Sequence, residues 1–190
     1  MSRQTQVEDS KSQPPQNGDV PDDDSSPVSQ DQPQDQEKIR KRDYIDLPSH
    51  PYIMKILNKQ GDQIVLFADK VWKFTGSGKM KCRFMLITDF AVYIVDPETD
   101  SLKRRIALAA VEKICLSELS DNFLAVIVPT EYDLLIASAR KNEIITAFVE
   151  AYELDVVPSN RFQYNAASDL VKEIEFEEVE GGVKTRILRK

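Results

Sequence analysis

Between residues 64 and 139 the chain passes through seven short segments rich in Val, Ile, Leu and aromatic side chains, and a single amphipathic stretch follows them. The segments are Ile64 to Phe74, Lys81 to Thr88, Ala91 to Asp96, Lys103 to Leu108, Val111 to Ser117, Phe123 to Val128 and Tyr132 to Ala139. Thr75-Gly76-Ser77-Gly78, Asp96-Pro97-Glu98-Thr99-Asp100 and Ser120-Asp121-Asn122 punctuate them as turns. No strand and helix alternate through this region, which argues against a parallel α/β enzyme fold. Closely spaced strands curl, and a curled sheet must close or be covered if its edges are not to stay bare. Asn142 to Leu154 suits the cover. Ile144, Ile145, Phe148, Val149 and Tyr152 form one apolar stripe with Glu143, Glu150 and Glu153 off it, and Pro158 stops the helix. The expected fold is mainly β, of the α+β kind: a barrel of about seven strands with a C-terminal amphipathic helix.

Elements flank this unit on both sides. Ser49-His50-Pro51 ahead of Tyr52, Ile53, Met54, Ile56 and Leu57, closed by Gly61, predicts a short helix with a serine cap. Arg161 to Asn165, Leu170 to Val179 and Val183 to Leu188 predict extra C-terminal strands, the last two a hairpin turning at Gly181-Gly182. Glu173, Glu175, Glu177 and Glu178 on one limb face Lys184, Arg186 and Arg189 on the other, an arrangement that cross-strand charge pairing explains.

Composition matters where charge is partitioned. Residues 1–37 hold nine acids against two bases, which accounts for the whole net charge of −7, so the remaining 153 residues are neutral with 23 of each sign. The acidic segment is rich in Gln, Ser and Pro and has few apolar side chains, so residues 1–43 are expected to form a disordered tail with a basic junction, ahead of a domain over 44–190. Such a tail solubilises; a second reading has it compete with an anionic ligand for the domain. The junction Lys38-Ile39-Arg40-Lys41-Arg42 reads as a nuclear-import signal, a membrane contact or a solvated linker.

Several chemistries are disfavoured. Two cysteines, Cys82 and Cys115, make neither a disulfide framework nor a thiolate metal cluster and read as small core residues. His50, the one histidine, reads as a turn or cap residue, and no nucleophile or acid stands ready to partner it. Asp22-Asp23-Asp24 lacks the glycine and terminal glutamate of a calcium loop. No apolar run approaches membrane-spanning length and the N-terminus lacks a signal-peptide centre. A non-enzymatic cytoplasmic protein without metal or cofactor is expected.

One segment carries more than fold information. Residues 70–83 hold five bases and no acid, in a domain that is otherwise balanced. Strand alternation sets Val71 and Lys73 on one face with Trp72 and Phe74 on the other; Lys81 and Arg83 likewise share a face opposite Cys82 and Phe84. Pairing through the Gly76-Ser77-Gly78 loop then gathers Lys73, Lys79, Lys81 and Arg83 near one end of a hairpin. Crowded cations favour an anionic partner, and a multiply charged phosphate suits the mixture of Arg fork and Lys point charges; a solvated hairpin tip is the alternative. Lys103-Arg104-Arg105 forms a second patch, which alone reads as a solvated edge, and Trp72 is expected in the barrel core, with a membrane wedge as the alternative.

The stretches Leu66-Phe67-Ala68-Asp69-Lys70-Val71-Trp72-Lys73, Arg83-Phe84-Met85-Leu86-Ile87-Thr88-Asp89, Ala91-Val92-Tyr93-Ile94-Val95-Asp96, Lys103-Arg104-Arg105-Ile106 and Leu116-Ser117-Glu118-Leu119-Ser120-Asp121-Asn122-Phe123 together resemble the first tail homology domain of class I myosins. The resemblance runs from about position 44 to the end of the chain. It implies a pleckstrin-homology-like barrel that binds anionic phospholipids, phosphoinositides above all, through a basic pattern falling on Lys73, Lys81 and Arg83. Lys79 is expected as an auxiliary, and Lys103, Arg104 and Arg105 match a basic patch of such domains. The family's motor, P-loop and light-chain helix have no counterpart in this sequence, so a free-standing tail-like module is expected. Its anticipated partners are an anionic phospholipid membrane and a cytoskeletal or myosin component, not nucleic acid, with residence at membranes or the cell cortex. The rival reading is a protein-interaction adaptor that takes a peptide along a strand edge.

Overall fold

The computed structural model describes residues 40–167 and 169–190. The expectations for the acidic tail, for Asp22-Asp23-Asp24 and for the first two residues of the basic junction lie outside the described residues. Among the described residues eleven strands and two α-helices follow in order, numbered here β1–β11 and α1–α2.

All seven expected barrel strands form: β1 Val65–Phe74, β2 Met80–Thr88, β3 Ala91–Val95, β4 Leu102–Ala107, β5 Lys113–Leu116, β6 Phe123–Ile127 and β7 Leu134–Ala137. They belong to a sheet ordered β4-β3-β2-β1-β7-β6-β5-β8. Antiparallel neighbours are natural where short turns join the strands, and β1 links the two halves by pairing with β2 along its length and with β7 at Trp72 and Lys73. The interior holds Phe67, Val71, Met85, Ile87, Ile94, Ile106, Ile114, Leu124, Val126 and Ile136. α2, Lys141–Ala151, plugs it with Ile144, Ala147 and Phe148. The plug is rotated from the expected stripe: Ala147 is buried, whereas Val149 is 55% and Tyr152 47% exposed. The rim admits a small side chain along the line of closest approach, so packing outranks side-chain size there.

Two outer layers were anticipated less fully. α1, Pro51–Gln60, buries Ile53 and Leu57 on the outside of β1–β3 against Val65, Ala68, Phe84, Leu86 and Tyr93. Pro51 opens it and Gly61, at φ 79°, closes it in the left-handed conformation that favours glycine. The expected serine cap is corrected: His50 occupies that position without a side-chain cap, and Ser49 Oγ donates instead to the Asp46 carbonyl at 2.7 Å. On the other flank β9 Arg161–Ala167, β10 Leu170–Val179 and β11 Gly182–Arg189 form a separate sheet ordered β11-β10-β9. Its Tyr164, Ile174 and Phe176 pack on Cys115, Ala125 and Leu135 of the barrel's outer face. Glu175 stands opposite Arg186 in register and accepts from it at 2.5 Å, the expected cross-strand pair. Glu173, on the same face, pairs with Arg161 of β9 at 2.9 Å.

One strand went unforeseen. β8, Asp155–Pro158, runs parallel to β5 from Lys113↔Asp155 to Leu116↔Pro158. Pro158 therefore lies within an edge strand, where its missing N–H costs nothing, and α2 already ends at Ala151. Ordered pairing also reaches into the basic junction: Arg40 and Asp43 bridge to Val65 and Ala68 in parallel, and Lys41 and Arg42 pair with Glu150 of α2 at 3.2 and 2.7 Å.

Candidate anion site at the barrel mouth

The β1–β2 register fixes the geometry of the basic hairpin. Lys73 stands directly opposite Lys81, and Val71 opposite Arg83. Because partners in register share a face, Lys73, Lys81 and Arg83 continue the inner face on which Val71 and Met85 are buried. The core thus runs outward into cations at the end of the barrel that bears the β1–β2 loop. Burial first, then Arg104, Arg83 and Lys81, pushes the Lys73 amine below its ordinary value, so these groups act on one another.

Arg104 and Arg105 part company. On β4, Arg104 aligns with Ile94 and turns inward, its side chain only 6% exposed. It donates to the Tyr132 carbonyl at 2.5 Å and to Glu131 at 3.4 Å, and its guanidinium lies 3.9 Å from the Tyr132 ring centre. Its Nε and Nη1 are buried without a hydrogen-bond partner. Lys73 approaches the same ring at 5.9 Å, and a recess of about 220 Å³ opens between Lys73, Gly76, Tyr132 and Ala167. Arg105 faces outward instead, held by the Tyr93 hydroxyl at 3.0 Å and the buried Asp62 carboxylate at 2.9 Å. Burial, and then the Asp62 hydrogen bond, raises the Tyr93 phenol to about 12. Arg105 thus stands apart from the inward cations and ties the segment just after α1 to the sheet.

Lys79 and Lys81 are exposed, and the Lys79 amide donates to Thr75 Oγ1 at 3.2 Å to tie the loop. Lys103 is exposed too, and lies with Arg83 near Asp96. The Asp96 carboxyl is held below its ordinary range, first by the Glu98 amide and then by these two cations. Sequence reading missed Lys172, whose Nζ lies 3.9 Å from where a Cβ on Gly78 would stand, and also Tyr132. Lys172 sits on acidic β10, so no local signal marks it; only tertiary packing brings it to the loop.

Other expectations resolve as geometry. Trp72 is 49% exposed, not core. It aligns with Cys82 on one side and Ala137 on the other, both too small to cover it, and it lies between the layers formed by α1 and by β9–β11. Cys115 is buried, which pushes its thiol up, while Cys82 is half-buried. His50 ends one turn and begins α1, and the expectation that no acid partners it is corrected: its Nδ1 lies 3.0 Å from Asp100 and its Nε2 3.1 Å from the Ile45 carbonyl. Among the described residues no helix is long and apolar enough to cross a membrane.

A two-halved antiparallel barrel plugged by one C-terminal helix, with cations continuing its inner face, is a pleckstrin-homology-like module. The chain belongs to the family described as unconventional myosin tail, actin- and lipid-binding, whose model matches residues 40–189. Among curated relatives, the myosin IB heavy chain of Dictyostelium discoideum is 32% identical over 73% of this chain, and the myosin IC heavy chain of Acanthamoeba castellanii 31% identical over 67%. The matched stretch is only 14% and 12% of those heavy chains. Among solved structures, one described for the PH and C1 domains of the Vav1 exchange factor superimposes with a TM-score of 0.39 at 15% identity, over 53% of this chain and 32% of that one.

Proposed function

We propose that this chain docks reversibly on anionic phospholipid membranes by receiving a phosphorylated head group at the barrel mouth, which would station it at membranes or the cell cortex. The observation that carries the reading is the inner-face row of Lys73, Lys81 and Arg83 ending against buried Arg104, which has two unpartnered nitrogens. A surface-solvated cluster has no need of cations set against a buried guanidinium, whereas a phosphate monoester seated among Lys73, Lys81 and Arg83 would draw on its charge from close by. Lys79 and Lys103, exposed at the rim, add attraction of about 1 kcal/mol each that salt screens. The family's description as lipid-binding supports the same reading.

The adaptor reading is less favoured because it leaves the inward cations without a role; with β8 on the β5 edge, a peptide would add to β4 or to β8. For actin, also in the family description, no comparably specific feature stands out among the described residues.

Co-sedimentation with phosphoinositide-containing vesicles tests the proposal. Lys73→Ala combined with Arg83→Ala is expected to weaken binding by about 2 kcal/mol, roughly thirtyfold. Arg105→Ala is expected to lower the unfolding midpoint instead, because it strands Asp62, which is 2% exposed, while the folded protein still binds. Unchanged binding of the double variant at moderate salt overturns the reading.

A further inference from the structure

The outer face of the same hairpin carries side chains of opposite character. Trp72 aligns with Cys82 and Phe74 with Met80, so these four form one contiguous block on the face opposite Lys73, Lys81 and Arg83. Phe74 leans on Phe123, with ring centres 5.1 Å apart, but Trp72 is 49% and Met80 54% exposed. Isolated exposed apolar residues are ordinary; a tryptophan and a methionine set diagonally on one face of a hairpin whose flanks are lysines are not. Lys70 on the same face and Lys79 and Lys81 beside Met80 are all exposed.

Tryptophan favours the boundary between head groups and acyl chains, where its ring is apolar and its N–H stays wet. A face that joins this residue to basic stems fits that boundary, because the lysine stems follow the apolar surface while their ammonium groups reach the phosphates. We propose that Trp72 and Met80 form a wedge that enters the interfacial layer of an anionic bilayer while the inner face of the hairpin holds the head group. This inference rests on the membrane reading above and deepens it: the hairpin is gripped on both faces, one by charge and one by apolar burial. Charge complementarity selects the occupant, since the wedge is continuous with a patch that attracts anions. A membrane offers both phases within the thickness of one β-strand.

Trp72 is the chain's single tryptophan, so it reports on itself. The unmodified protein is mixed with phosphatidylcholine vesicles containing a phosphoinositide, and its tryptophan emission is followed alongside co-sedimentation. Bound protein is expected to show blue-shifted emission that brominated acyl chains quench. Met80→Ser, which leaves the reporter in place, is expected to weaken binding several-fold with its salt dependence intact, and Trp72→Ala about tenfold. Co-sedimentation with unshifted, unquenched emission overturns the wedge and leaves the head-group reading standing, with the face then free for a protein partner. Absence of co-sedimentation even at low salt overturns both.

Discussion

Lys73 faces Lys81 across two hydrogen-bonded strands, an arrangement that folding has reason to avoid. Like charges directly opposite destabilise a sheet by a few tenths to about 1 kcal/mol. Since Lys73 titrates below its ordinary 10.5 in the folded chain, its charged form opposes folding at neutral pH, and that cost is relieved as pH rises from the lowered value toward 10.5. An anion seated between the cations reverses the shift. Lys81→Gln is therefore expected to stabilise the free protein by about 0.5 kcal/mol in urea unfolding while weakening vesicle binding. Affinity of the unmodified chain should also fall on alkaline titration before that of Lys73→Arg does. Alternation makes it legible that Lys73, Lys81 and Arg83 share a face, but not that this face is the inner one, since Trp72 on the opposite face is the side chain expected in the core. Nor could alternation decide between Arg104 and Arg105, because which of two neighbours points inward depends on the irregular register where Val95 meets Leu102.

At the scale of elements, α2 does more than plug the barrel. Its Glu150 grips Lys41 and Arg42, and its start joins Arg140 to Asp69 at 2.7 Å with Tyr44 stacked 3.6 Å from the guanidinium. Slight burial acts upward on the Glu150 carboxyl, yet Arg42 and Lys41 prevail and hold it below its ordinary 4.5. A depressed carboxyl stabilises above the unfolded value and loses that contribution as pH falls through the folded one. Glu150→Gln is expected to speed tryptic cleavage after Lys41 and Arg42 severalfold at neutral pH, with little change in the unfolding midpoint, because partly exposed pairs contribute about 0.5 kcal/mol. Neither this clamp nor β8 was legible. The junction reads as a charge run until a distant glutamate meets it, and Asp155-Val156-Val157-Pro158 is too short, with its proline, to announce a strand before β5 lies alongside. The rotation of α2 was hidden for the same reason: helical periodicity finds the apolar side chains, while the rim decides which of them enter.

For the whole molecule, three cores share one sheet: the barrel interior, the layer under α1 and the layer under β9–β11. Phe176 anchors the last, with its ring centre 6.0 Å from both Phe123 and Phe162. Phe176→Ala is expected to cost about 3 kcal/mol by denaturant unfolding. It should also loosen the loop's support, since Gly76 packs against Ala167, where a Cβ would come within 3.2 Å of it. A vesicle-binding loss in folded Phe176→Ala would then report a displaced hairpin and not a missing contact.

The parallel union of β5 with β8, and the layer that the last three strands lay over Cys115, Ala125 and Leu135, also order events in time. A chain made from its N-terminus has its barrel strands ready before the segments that cover their flank have emerged. Until then an apolar wall and an unpaired β5 edge stand open, the condition in which nascent sheets aggregate or recruit chaperones. Completion is a late zipping step across long sequence separations, so folding of the new chain and refolding should both be limited by the closing of its last segments, β8 to β11.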